Sequence, residues 1–174
     1  MDLYILRHGL AASREEWNGP DAERPLTGKG RSRTITAARG LARLGVAPDV
    51  ILTSAYLRAA DTAQLTAAEL HAPVVEVQAL EPGQLEPGYR LLLQRYADDA
   101  SVMLVGHEPD LSALIGLLIA GTAPAQVELK KGACARLSLD ASSLKSKAAP
   151  DGPAAILLWL MTARALSDIA KPSR

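Results

Sequence analysis

The sequence predicts an α/β protein, a three-layer α/β/α sandwich with a mainly parallel central sheet and an antiparallel hairpin contributed by its C-terminal part. Three observations carry this. Short apolar, β-branched runs recur at residues 2–6, 49–53, 74–77 and 101–105. Each is followed by a longer stretch with helical spacing, and that alternation builds a parallel sheet covered by helices. Two later apolar runs, residues 133–139 and 155–160, have no helical pattern between them and read as strands joined by a loop. The 174 residues are expected to form one domain over their whole length, with a substantial core.

Each element has a local reason. The run DLYIL at residues 2–6 is a buried strand that stops at Arg7-His8-Gly9. A helix over residues 27–44 starts with Thr27 as its cap and ends before Gly45, where a glycine takes over the C-terminal turn. An Ala-rich helix covers residues 58–70, and residues 88–97 carry Leu91, Leu92, Leu93 and Tyr96 on helical spacing. Residues 110–120 form a strongly apolar helix, for which Asp110 is read as the cap. Residues 142–153, SSLKSKAAPDGP, are rich in Ser, Lys, Pro and Gly and read as a mobile loop between the last two strands.

Composition removes several classes of function. Aromatic residues are 3% and Phe is absent, so the core falls to Leu, Val, Ile and Ala. The same scarcity argues against a stacking platform for single-stranded nucleic acid. Cationic and anionic residues number 19 each, so no global field attracts nucleic acid or membrane, and an anion site must be a local concentration of charge. Cys134 stands alone in the sequence, which excludes an intramolecular disulfide and a cysteine-cluster metal site. Its alternating surroundings read as a buried strand. The first apolar run is too short for a signal peptide, and no run reaches membrane-span length. A cytoplasmic protein is expected. No Gly-x-Gly-x-x-Gly or Walker-type loop follows a strand, which sets aside nucleotide cofactors.

The chemistry gathers at strand ends. Arg7 and His8 follow the first strand, Arg58 the second, Glu81 the third and His107 the fourth. In a parallel sheet these positions share one edge and can converge. Arginine presents a fixed fork of donors to phosphoryl oxygens, and a neutral histidine nitrogen can attack phosphorus. Taken singly, each residue has a plainer reading as a cap, a turn or a surface group. His71, after a helix, reads as a solvated C-terminal residue. Lys130 and Lys131 read as a solvated turn, with guidance of an acidic partner as the alternative.

The sequence resembles the histidine phosphatase (phosphoglycerate mutase-like) superfamily, and within it the short SixA-type phosphohistidine phosphatases. The resemblance rests on four segments in order: residues 6–9 (LRHG), 21–30 (DAERPLTGKG), 52–62 (LTSAYLRAADT) and 105–109 (VGHEP). It implies that His8 accepts the phosphoryl group and becomes phosphohistidine. It also implies that Arg7, Arg58 and His107 clamp the equatorial oxygens, with Gly9, Asp21 and Arg24 around the phosphate. Asp21 and Arg24 read equally as the rim of the site and as an ion pair that fixes a loop. No metal or other cofactor is expected, because the arginines supply the charge.

The pattern departs from the larger relatives at the proton donor. Their glutamate lies two residues beyond a leucine, which counted from Leu80 is Pro82 here. Glu81 is the nearest acid, read mainly as an exposed loop residue, with Glu86 and Glu108 as weaker alternatives. A weak acid disfavours alkoxide leaving groups and suits phosphohistidine, whose imidazole takes a proton near neutral pH. The expectation is therefore a phosphatase for phosphohistidine on a signalling protein, releasing inorganic phosphate. The alternative is a phosphomonoesterase for a small phosphorylated metabolite, and a non-catalytic phosphate-binding module stands behind both.

Overall fold

In a computed structural model, which describes residues 1–121, 126–140, 142 and 154–172, six strands form a single sheet. They are β1 (Asp2–Arg7), β2 (Val50–Thr53), β3 (Val74–Glu76), β4 (Ser101–Gly106), β5 (Cys134–Leu139) and β6 (Ala155–Met161). Their order is β3-β2-β4-β1-β5-β6. The pairs β1–β4, β2–β4 and β2–β3 are parallel, whereas β5 runs antiparallel to both β1 and β6. Apart from Ser142, the loop expected at residues 142–153 lies outside the described residues.

The described helices are α1 (Gly28–Arg43), α2 (Leu57–Leu70), α3 (Leu85–Arg95), α4 (Asp110–Ala120) and α5 (Ala163–Ile169). Strand alternation sorts them into two layers. Leu3, Ile5, Leu52, Val102, Leu104 and Leu137 pack with Leu92 and Leu93 of α3 and Leu111, Leu114 and Ile115 of α4. Their neighbours Tyr4, Leu6, Ile51, Met103, Val105 and Cys134 face the other way, onto α1, α2 and Leu166 of α5. Ala59, Ala63 and Ala67 form most of the apolar buried stripe of α2, which Leu70 completes at its C-terminal end. Cys134 is fully buried, and burial pushes its thiol pKa up.

Three sequence readings need correction. Asp110 does not cap α4: Pro109 occupies that position and Asp110 is the first helical residue. Its carboxylate instead accepts the Gly83 N–H at 2.6 Å, an acid favourably placed in a first turn. The third helix starts at Leu85 rather than at residue 88, because Pro87 fits a first turn that lacks intrahelical N–H bonds. The short α5 was not anticipated; its seven residues bury only Leu166, too little to show a period.

Helix α1 depends on two close approaches. A Cβ at Gly30 would lie 2.0 Å from the Leu10 carbonyl oxygen, and one at Gly40 2.0 Å from that of Leu166. Thr27 caps the helix by accepting the Gly30 N–H at 2.9 Å, while its own N–H is donated to Leu10 O at 3.0 Å. The start of α1 is thereby seated on the loop that leaves β1.

Candidate active site

Register brings the strand ends together: Arg7 lies opposite Gly106, and Thr53 opposite Val105. The next residues are His8, His107 and Ser54. His8 donates its N–H to Gly106 O at 3.1 Å, and the Gly132 N–H reaches the carbonyls of Arg7 and His8 at 3.2 and 3.1 Å. Gly9 is required by close approach, since a Cβ there would meet Thr34 Oγ1 at 2.5 Å. Its N–H is donated to Thr62 Oγ1 at 3.0 Å, and that hydroxyl donates to Arg58 O at 2.7 Å. One threonine of α2 therefore ties the loop after β1 to the backbone of Arg58.

The His8 and His107 rings lie 5.2 Å apart between centroids. His8 Nδ1 is 2.8 Å from its neighbour's carbonyl, Gly9 O. A carbonyl only accepts, so Nδ1 carries the proton and Nε2 keeps its lone pair. Burial lowers the His8 pKa to about 3, opposed by the Gly9 hydrogen bond and reinforced by His107, Arg58 and Arg7. Burial, and then Arg58, lowers that of His107 to about 4, with Asp21 opposing. Both rings are neutral at pH 7.

His107 Nε2 lies 3.0 Å from Ser54 Oγ. That oxygen also accepts the Tyr56 N–H at 3.2 Å; among the described residues Nε2 is the acceptor within reach of its hydroxyl proton, so the ring proton is assigned to Nδ1. Tyr56 packs edge-on against His107 at 5.3 Å and beneath the Arg58 guanidinium at 5.0 Å.

Arg58 is 4% exposed. It donates to Asp21 O at 2.7 Å and to the Asp21 carboxylate at 3.1 Å. Arg24 donates to the same carboxylate at 2.9 Å and to Ala12 O at 2.8 Å. Asp21 and Arg24 thus fix the loop after β1, and Asp21 also holds Arg58. Burial raises the Asp21 pKa, but the Arg24 hydrogen bond and the charges of Arg58, Arg24 and Arg14 outweigh it and leave it depressed. Arg7 donates to Leu129 O at 2.9 Å. Burial lowers its pKa against the opposing charges of Glu108 and Glu128.

Arg7 Nε, Arg58 Nε and His107 Nδ1 are buried without a hydrogen-bond partner among the described residues. Unmet buried donors are costly. Three of them on neighbouring cationic or proton-bearing groups fit an oxyanion that accepts them all.

Glu81 needs a correction. It is half-buried rather than exposed, because a 3₁₀ turn at Gln78–Leu80 buries Leu80 and sets its carbonyl beside Gly106. Glu108 directly follows His107, with one carboxylate oxygen buried and unpartnered; the Glu86 side chain lies outside the described residues. His71 is exposed and closes α2 in the left-handed conformation with φ 56°. Ser54, Tyr56 and Thr62 escaped the sequence reading. All three lie inside the segment around Arg58, but a supporting hydroxyl or ring has no motif of its own and declares a role only once its partners are placed.

The fold and this edge define a class: an α/β protein with a buried, histidine-containing oxyanion cage at the C-terminal ends of parallel strands. Residues 3–86 match the histidine phosphatase superfamily (branch 1). An uncharacterised protein of Picosynechococcus sp. is 38% identical over 149 residues, 84% of this chain and 90% of that protein. The structure of the protein histidine phosphatase SixA complexed with tungstate superposes with a TM-score of 0.80 and 26% identity, over 95% of this chain and 99% of that one. The α-ribazole phosphatase from Shigella flexneri shares the fold, with a TM-score of 0.66 and 20% identity over 80% and 91% of the two chains. The chain belongs to the histidine phosphatase superfamily, in its SixA-like part, and is a histidine-dependent phosphatase.

Proposed function

We propose that the chain hydrolyses phosphohistidine on a protein substrate, through a covalent phosphohistidine on His8. The carrying observation is the electrostatic state of His8, a neutral ring with Nε2 unprotonated beside two arginines and a second neutral histidine. Arg7, Arg58 and His107 bind the equatorial oxygens and hold phosphorus in line with Nε2. In the first step the bond from His8 Nε2 to phosphorus forms and the bond from phosphorus to the substrate imidazole breaks. The leaving nitrogen takes up a proton from solvent, which the attacking water of the second step returns. Water then attacks phosphorus, inorganic phosphate leaves, and Nε2 recovers its lone pair.

Two features support a protein-borne phosphoramidate. Between Glu81 and His107 the chain forms only α3 and β4, both part of the sandwich, so that span contributes no insertion above the strand ends. The imidazole leaving group also makes little demand on an acid. The half-buried Glu81, next to Leu80 whose carbonyl lies beside Gly106, favours a second reading, a phosphomonoesterase for a small metabolite with Glu81 as acid. Hydrolysis of a phosphohistidine peptide and of simple phosphomonoesters at matched concentrations separates the two. The peptide is expected to turn over at least about tenfold faster; faster turnover of the monoesters overturns the protein-substrate reading.

A further inference from the structure

The protein has 19 cationic and 19 anionic residues, but they are not evenly matched in space. Arg31 pairs with Asp61, Arg39 with Glu69, Arg136 with Asp2 and Lys171 with Asp168. Lys29, Arg33, Lys131 and Arg164 are exposed and make no ion pair with a described residue. The fold gathers these four. Lys29 and Arg33 are one helical turn apart on α1, and Arg164 lies in the first turn of α5, which packs along α1. A groove of roughly 430 Å³ between the two helices is bordered by Lys29, Arg33 and Arg164. Arg33 also lines a narrower cavity of roughly 100 Å³ with Lys131, which continues to Gly9 of the catalytic loop. Gly132, next to Lys131, bonds the carbonyls of Arg7 and His8. The positive strip therefore runs from the outer face of α1 and α5 to the rim of the phosphate site.

Folding gains little from this arrangement. Lys29 and Arg33 are like charges at i,i+4, which repel. Lys29 stands in a first turn that has no acidic residue, where the helix dipole disfavours a cation. Asp168, one turn beyond Arg164, is bonded to Lys171 at 2.5 Å and feels Arg164 only as a weaker, more distant charge. Cations clustered against their own helix dipole, beside the active site of a neutral protein, fit a partner that brings the opposite charge.

We propose that the strip formed by Lys29, Arg33, Lys131 and Arg164 docks an acidic surface of the phosphohistidine-bearing protein. The inference rests on the protein-substrate reading above. Complementary charge of this kind speeds encounter and fixes orientation, and salt screens it.

The test compares the full-length protein with its Lys29→Glu/Arg33→Glu/Arg164→Glu variant on two substrates. One is a histidine-phosphorylated protein domain of net negative charge; the other is free phosphohistidine. The variant is expected to lose roughly tenfold or more in kcat/KM on the phosphoprotein, mainly through KM, and to keep its rate on free phosphohistidine within about twofold. Wild-type kcat/KM on the phosphoprotein should also fall as salt rises, a reading that needs no variant. No salt dependence, no loss on the phosphoprotein, or an equal loss on both substrates overturns the docking surface and leaves the phosphatase reading standing. Wild-type turnover of free phosphohistidine without any turnover of the phosphoprotein removes the protein-substrate reading, and the docking surface with it.

Discussion

His8 and His107 are kept neutral by burial among cations, and that choice has a consequence for stability. In the unfolded chain each imidazole binds its proton with a pKa near 6.5; in the fold the values are about 3 and about 4. Between those limits the unfolded state holds more protons than the folded one, so stability falls as pH drops below about 6.5. Above pH 7 neither state is protonated and the contribution is flat. The Asp21 depression acts around and below its ordinary 3.8, so it adds to the fall only below about pH 5. Each histidine should cost about 1–2 kcal/mol by pH 5. Denaturant midpoints between pH 7.5 and 5 check this, with His107→Asn expected to flatten the fall. Equal stability at both ends would contradict the neutral-pair assignment. The residues that the sequence made legible here were the charged and titratable ones, Arg7, His8, Arg58 and His107. Asp21 was readable only as one of two things, because its bond to Arg58 crosses between a loop and a helix 37 positions apart.

Among the elements, α1 connects stability to the site. Glycine inside a helix is ordinarily worse than alanine by roughly 0.5–1 kcal/mol, so replacing it should stabilise. At Gly40 the sign reverses, because the new methyl would meet a backbone oxygen of α5 that no rotamer can move. Gly40→Ala is expected to lose about 1–3 kcal/mol by overpacking. Gly28→Ala, with nothing within 4 Å of the added Cβ, should be neutral within about 0.5 kcal/mol. Thermal or denaturant unfolding of the two variants decides it, and a stabilised Gly40→Ala would refute the close contact of α1 with α5. The sequence made the repeating strands and the long helices legible, since apolar period and caps such as Thr27 are local signals. Helix α5 was not legible: its partner lies more than 100 positions earlier in the chain, in the small residues of α1, and nothing local announces that contact. The start of α3 was missed for a related reason, because Pro87 marks a first turn as readily as a boundary.

For the whole molecule, three parallel strands, β1, β2 and β4, carry histidine and arginine from distant parts of the sequence to one edge. An antiparallel pair then extends the sheet on the far side of β1. The convergence could be anticipated from strand order alone, since residues that follow parallel strands must share an edge. The supports given by the Ser54 and Thr62 hydroxyls and by the Tyr56 ring, which orient His107, the loop after β1 and Arg58, could not, because they exist only between segments already placed. A site built this way makes one demand on the entire fold, that a single unprotonated nitrogen on His8 receives the phosphoryl group. The most direct measurement is intact-mass and peptide mapping after rapid quenching, under conditions that preserve acid-labile phosphate, with wild type and His8→Ala each mixed with a phosphohistidine-bearing domain. The account predicts a transient phosphate on the His8 peptide of the wild type, and neither label nor turnover in the variant. Turnover that survives in His8→Ala, or a phosphate that maps to another residue, would contradict it.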